Sequence, residues 1–351
     1  MILKNLRISN FRNISEERVE FQEGLNLIWG ENGQGKTNLL EAIYLLSGRP
    51  SFRGAQDNDL KKEDENGYYI AGVFEEFPKE NYQVEVGYEN GRGKKIKQQG
   101  KEIRKKIDLL LKVPLTLFFP GDLKIIQGEP SARRRFLDNI FLQVSSQHRR
   151  VFVNYYRALM QRNSLLKRIR EGKAASGDLS PWNRELIKWG RELTVLREKL
   201  LRFMEEQLKS FYPEMRGEQA KIKVEYLPSI LDEANLEKLF EEEKRRGYTL
   251  LGPQVEDFEI YLNNRTVRIN ASLGEQKLLS LCLRWGEALF LREQTGPPIL
   301  LMDDALSSLD SKRKSLLLKE SSRFSQVFIT HTDNLNHHFS ASYQITGGRV
   351  V

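Results

Sequence analysis

The apolar positions change period along the chain. Over roughly the first 120 residues they alternate in short runs separated by turns. Ile2–Ile8, Val19–Phe21, Tyr68–Phe74 and Gln83–Tyr88 read as strands. Glu89-Asn90-Gly91 then marks a hairpin turn, with Lys94–Gln98 as the return strand. From Ser131 to Gly172 there is no Pro or Gly until the end, and Leu137, Phe141, Val144, Val151, Tyr155, Leu166 and Ile169 recur at helical spacing. If unbroken, this helix would reach about 60 Å. The stretch Gly172–Pro181 breaks it. A second helix is expected from about Trp182 to Phe211. Its positions Trp182, Leu186, Trp189, Leu193, Leu196, Leu200 and Phe203 alternate spacings of four and three, a heptad seam. The pair predicts an antiparallel helical hairpin. Beyond it, Lys221–Tyr226 and Phe258–Leu262 read as strands, Asn263-Asn264 as a turn, Leu278–Leu291 as a helix and Ile299–Met302 as a short buried strand.

One junction in this pattern carries chemistry. The apolar run Leu25, Leu27, Ile28, Trp29 ends at Gly30-Glu31-Asn32-Gly33-Gln34-Gly35-Lys36-Thr37, and a helical pattern from Leu39 to Leu46 follows. Strand, Gly-rich turn and helix N-terminus together form an anion site. Lys36 is placed to reach the β- and γ-phosphates, and the Thr37 hydroxyl to ligate Mg²⁺. The expected ligand is therefore a nucleoside triphosphate, ATP, with Mg²⁺.

Downstream, Ile299–Met302 ends in Asp303-Asp304. Asp303 fits the Mg²⁺ role, and Asp304 is placed to polarise the attacking water. Ser307-Ser308-Leu309-Asp310 follows, and then Val327–Thr330 is a buried strand ending in His331, within reach of a γ-phosphate oxygen at the sheet's carboxyl edge. Upstream, Asn270 to Lys277 enters an apolar helix, and Ser272 and Gly274 at its start form a second anion site or a plain helix cap.

This order of motifs resembles an ABC-type ATPase head. The loop sequence and the opening Leu6–Arg12 with Asn10-Phe11-Arg12 resemble the SMC-like DNA-repair branch. Ser51-Phe52-Arg53, Gly128-Glu129-Pro130 to Asp138, and Gly247 to Pro253 are similar to the RecF family. The resemblance spans nearly the whole chain. It implies an α/β fold, an ABC-type head with a mixed sheet and an inserted helical, coiled-coil-like domain. The division it suggests is 1–130 and 255–351 for the head and 131–254 for the arm. It also implies that Ser272 and Gly274 complete the ATP site of a second copy, that Arg12 belongs to the nucleotide site, and that Gln127 is the Q-loop glutamine. The family role it implies is a DNA gap-repair ATPase that dimerises on ATP and works with RecR and RecO. Asp304 stands where most ABC ATPases carry Glu, which predicts slow hydrolysis; the resemblance implies that this hydrolysis is used as a switch and stimulated by DNA. Gln254 and Glu256 replace the usual His and Asp, and Ala271 and Leu273 replace the usual Leu and Gly of the signature.

Charge agrees with a polyanionic partner. Lys and Arg number 56 against 48 Asp and Glu, a formal net charge of +8 with a pI near 9.3. Between Ser131 and Gly172 ten Arg/Lys face only Asp138 and Glu171, with Tyr155 and Tyr156 interleaved. Arg149, Arg150 and Arg157 are the expected contacts to DNA, made to the backbone of duplex or of a duplex/single-strand junction without sequence preference. The single cysteine, Cys282, excludes an intramolecular disulfide framework. No run approaches the roughly 18 apolar residues of a membrane span, so the chain is expected to be cytoplasmic with no membrane partner. The second reading is an ATPase subunit of a membrane transporter; the long hairpin argues against it.

Overall fold

The computed structural model describes residues 1–76, 80–103 and 107–351, which divide into two compact units: Met1–Asp122 with Glu287–Val351, and Leu123–Gly286.

The first unit holds two sheets. One is antiparallel and includes, in order, Ile14–Glu20, Ile2–Phe11, Gly67–Glu76, Glu80–Glu89 and Gly93–Gln98. Alternation marks these strands: Leu6, Ile8, Ile70, Phe74, Val84 and Val86 are fully buried, while Arg7, Tyr69, Val73 and Glu85 are not. The Asn90-Gly91 turn closes the expected hairpin, with Val86 opposite Ile96. The other sheet is ordered Arg349–Val350, Ala341–Thr346, Gly24–Trp29, Gln326–His331, Ile299–Met302, Leu115–Phe118, and is parallel except at Arg349–Val350. Its central strands Ile299–Met302 and Gln326–His331 are buried at every position, which is why they read as unbroken apolar runs. The helix Lys36–Leu45 packs between the sheets; Leu39, Leu40, Ala42, Ile43 and Leu45 are all buried. Each such leucine or isoleucine contributes about 1.5–3 kcal/mol by leaving water.

The second unit is mostly helical, with Pro130–Val144, Ser146–Arg170, Ser180–Arg216 and Glu233–Arg246 around a small sheet of Ile222–Leu227, Asp257–Leu262 and Arg265–Thr266. Two expectations are corrected here. The 131–172 helix is two helices, because Ser145 is extended (φ −158°) and caps the second one by accepting from His148 N at 3.2 Å. The longer piece, 25 residues, spans about 38 Å rather than 60. The seam of Ser180–Arg216 is not a heptad. Leu186, Trp189, Leu193, Arg197, Leu200, Met204, Leu208, Phe211 and Met215 are buried, a repeat of spacings three, four and four, whereas Leu196 and Phe203 are half-buried. That mean of about 3.67 residues per turn lacks the left-handed drift of a 3.5 repeat. It puts a charged residue, Arg197, in the seam. The two compact units divide at 122/123 and 286/287, beside the expected head and arm bounds of 130/131 and 254/255. Asp257–Leu262 pairs antiparallel with Ile222–Leu227, and Asp257 takes both Nε and Nη2 of Arg133 at 2.6 and 2.8 Å.

Candidate nucleotide site

Register brings the motifs of the first unit to one edge. Trp29 lies opposite His331 and Ile28 opposite Thr330, while Met302 lies opposite Ile329. The phosphate loop, Asp303 and His331 therefore leave the parallel sheet side by side, at its carboxyl ends.

The loop is shaped by glycine. Gly30 (φ 152°) has the carbonyl of Ile345 where a Cβ would stand, 2.3 Å away. Gly35 (φ 117°) precedes Lys36–Leu45 as its N-cap. Lys36 Nζ donates to the carbonyls of Gly30 (2.6 Å) and Glu31 (2.8 Å), which hold it over its own loop. Burial lowers its pKa, opposed by the charges of Asp304, Asp303 and Asp333. Thr37 Oγ1 donates to Asp303 Oδ1 at 2.8 Å, and Thr330 Oγ1 donates to the same oxygen at 3.0 Å. Burial raises the pKa of Asp303, and those two hydroxyls oppose the rise. Thr330 also accepts from Asp304 N at 2.9 Å, holding the exposed Asp304 at φ 53°. One cleft is lined by Asn32, Gly33, Gly35, Lys36, Thr37, Asn38, Phe52, Arg53, Phe119, Pro120, Gly121, Asp303, Asp304 and Thr330. The oxygen pair Thr37–Asp303 fits Mg²⁺, which takes one or two protein ligands and fills its octahedron with water and phosphate. Among the described residues no cluster of three His, Cys, Asp or Glu forms an all-protein cage.

In the second unit Ser272 caps the helix Leu273–Thr295. Ser272 N and Oγ both donate to Glu275 Oε2 at 2.8 Å, and Glu275 N donates back to Ser272 Oγ at 3.3 Å. Ser272 and Gly274 are exposed, and so are the apolar Ile269 (76%) and Leu273 (54%) beside them.

The family described as "RecF/RecN/SMC N terminal domain" matches residues 2–349. A DNA replication and repair protein RecF of Thermoanaerobacter sp. (strain X514) is 35% identical, covering 100% of this chain and 99% of its own; one of Caldanaerobacter subterraneus subsp. tengcongensis is 34% identical, covering 100% of both. The chain belongs to the RecF family. The solved structure of the recombination mediator protein RecF-ATP in the RecFOR pathway superposes with a TM-score of 0.89 at 34% identity, covering 100% of this chain and 97% of the other. An Smc head domain from Pyrococcus furiosus matches at 0.62 and 16%, a likeness of fold. The RecF-family match runs over the full length, so the transporter reading is not supported.

Within this RecF-family chain, two expected site residues have hydrogen-bond partners of their own. Arg12 does not line the cleft. Its guanidinium is spent on fully buried Glu41, with Nε to Oε2 at 3.0 Å and Nη2 to Oε1 at 3.2 Å, and on Asp59 O at 3.1 Å. Gln127 lies in the second unit, where its amide donates to Gln276 Oε1 at 2.6 Å. His331 is buried beside the cleft, and its Nδ1 lies 3.0 Å from Asp333 N and 3.1 Å from Asp333 O. Arg53, Asn38 and Thr330 were missed as site residues. Arg53 had a signal in Ser51-Phe52-Arg53; Thr330 had none beyond its neighbour His331.

The expected basic face of the RecF-family arm thins out. Arg133 and Arg162 are buried in ion pairs with Asp257 and Glu243, and Arg134 donates to Glu256 O. Tyr155 is fully buried and bonded to Gln254, and Tyr156 donates to Asp138. Arg150 and Arg157 are exposed and Arg149 is half-buried. In the loop at Gln254 and Glu256, Glu256, 1% exposed, takes Arg197, Thr194 and Tyr226.

Proposed function

We propose that this chain is an ATP-dependent DNA-binding protein of recombinational gap repair and replication-fork maintenance, a weak ATPase whose hydrolysis acts as a switch. The observation that carries the reading is the 2.8 Å bond between Thr37 and Asp303, which joins the phosphate loop to the strand-end acid. Loop amides and Lys36 bind the triphosphate. Thr37 and Asp303 hold Mg²⁺, which supplies charge neutralisation on the phosphates. Asp304, exposed at the rim, takes the proton of the attacking water, and His331 donates toward the γ-phosphate. The relatives' name and the RecF-ATP structure support this assignment.

In this reading ATP drives two copies together, with Ser272 and Gly274 of each facing the triphosphate of the other. Exposed Ile269 and Leu273 beside the cap support such a contact. The dimer sits on duplex or junction DNA through Arg149, Arg150 and Arg157, acts in the cytoplasm and hands over to RecR with RecO. Light scattering with and without ATP and DNA tests the reading: mass should double with ATP. A chain that binds ATP and stays monomeric at micromolar concentration counts against it.

A further inference from the structure

A chain of amides runs behind the phosphate loop. Arg53 Nη1 donates to Asn38 Oδ1 (2.9 Å), Asn38 Nδ2 to Asn13 Oδ1 (2.8 Å), and Asn13 Nδ2 to the carbonyl of Gln34 (3.1 Å). Its direction is forced. A guanidinium only donates, so Asn38 must accept with its oxygen and donate with its nitrogen, and Asn13 must do the same one step on. The Gln34 carbonyl receives a second donor, Gly348 N at 2.8 Å, and Gly347 N donates to Gln34 Oε1 at 2.6 Å. The turn between Ala341–Thr346 and Arg349–Val350 thus closes on the back of the loop.

The consequence lies in the peptide between Gln34 and Gly35. A trans peptide is planar, with its C=O and N–H pointing in opposite directions. Two donors that pin the Gln34 carbonyl outward aim the Gly35 N–H the other way, and Gly35 lines the cleft. We propose that Asn13 and the Gly347–Gly348 turn are positioning elements that preset the Gly35 amide for the nucleotide's phosphates. Asn13 is not among the residues that line the cleft; it acts through a backbone carbonyl and, by way of Asn38, steadies Arg53 at the cleft. The packing around it is tight. A Cβ on Gly35 would come within 2.9 Å of Asn13 Oδ1, and one on Gly348 (φ 79°) within 2.5 Å of Asn13 O.

The inference rests on the nucleotide reading above, and its test separates the two. Asn13→Ala should weaken ATP and inorganic tripolyphosphate binding equally, about tenfold by calorimetry, because the lost element serves phosphate and not base. KM should rise more than kcat falls, as uniform binding is what is lost. Gly348→Ala should act in the same direction through strain at Asn13. Melting curves give the folded fraction. The inference is overturned if Asn13→Ala binds as wild type, or loses affinity only in proportion to its folded fraction. It is overturned also if only ATP, and not tripolyphosphate, is affected. Wild-type chain that binds neither ligand would instead sink the nucleotide reading.

Discussion

Thr37 and Asp303 are 266 positions apart in the chain, and their side chains share a hydrogen bond of 2.8 Å. The bond forms because Gly24–Trp29 and Ile299–Met302 flank one strand, Gln326–His331, in a parallel sheet. Thr330, from that middle strand, donates to the same carboxylate oxygen.

Lys36→Ala should cut ATP affinity about 100-fold, since a hydrogen bond to a charged group is worth about 1.5–3 kcal/mol. Thr37→Ala and Asp303→Asn should bind ATP but lose the dependence of turnover on Mg²⁺. A folded Lys36→Ala chain with unchanged affinity and turnover refutes the site.

Ser272→Arg should block ATP-driven dimerisation and leave ATP affinity intact, because the phosphate loop lies in the other unit. Asp304→Asn should do the reverse, prolonging the dimer by removing the base. Sedimentation velocity with ATP distinguishes them; equal dimer lifetimes in wild type and Asp304→Asn remove Asp304 from the base role.

Reversal of Arg149, Arg150 and Arg157 to Glu should weaken duplex binding about equally across sequences. It should also flatten the slope of log affinity against log salt by about three, one per contact. Basal ATPase should persist while stimulation by DNA is lost. Wild-type affinity and slope in this variant would leave the arm as packing alone. The DNA surface would then be sought on the first unit, with the lysines near Lys94, which is paired with Asp57 at 2.8 Å, and Lys105, which lies outside the described residues, next in line.

His148 predicts a pH response in the second unit. Ser145 Oγ lies 2.7 Å from its Nδ1 and the ring stacks on Phe141, and burial, reinforced by Lys199, lowers its pKa below 6.5. The unfolded chain then binds the proton first. Stability should be level above pH 6.5 and fall as pH drops from 6.5 through the lowered value. In urea titrations from pH 7 to 5 the midpoint should decrease for wild type and decrease less for His148→Gln. Parallel curves would show that other groups carry the dependence.

The sequence by itself determined whatever depends on near neighbours. The phosphate loop is eight consecutive residues between a strand and a helix, so its chemistry was legible without a fold. The strand ends at Asp303 and His331 were legible because fully buried parallel strands are short unbroken apolar runs. Helical pattern predicted the hairpin but not its seam: spacings of three and four recur in both 7- and 11-residue repeats, and Arg197 looks like a surface residue until Asp138 and Glu256 meet it at 2.7 and 3.1 Å. Arg12 shows the same limit in reverse, since nothing local says that Glu41, 29 positions on, will claim it. Only the tertiary structure decided these pairings, along with Thr330 on Asp303 and Asn13 behind Gln34. A side chain's charge and shape are properties of one residue, but which partner satisfies them depends on the distant strands that packing brings alongside.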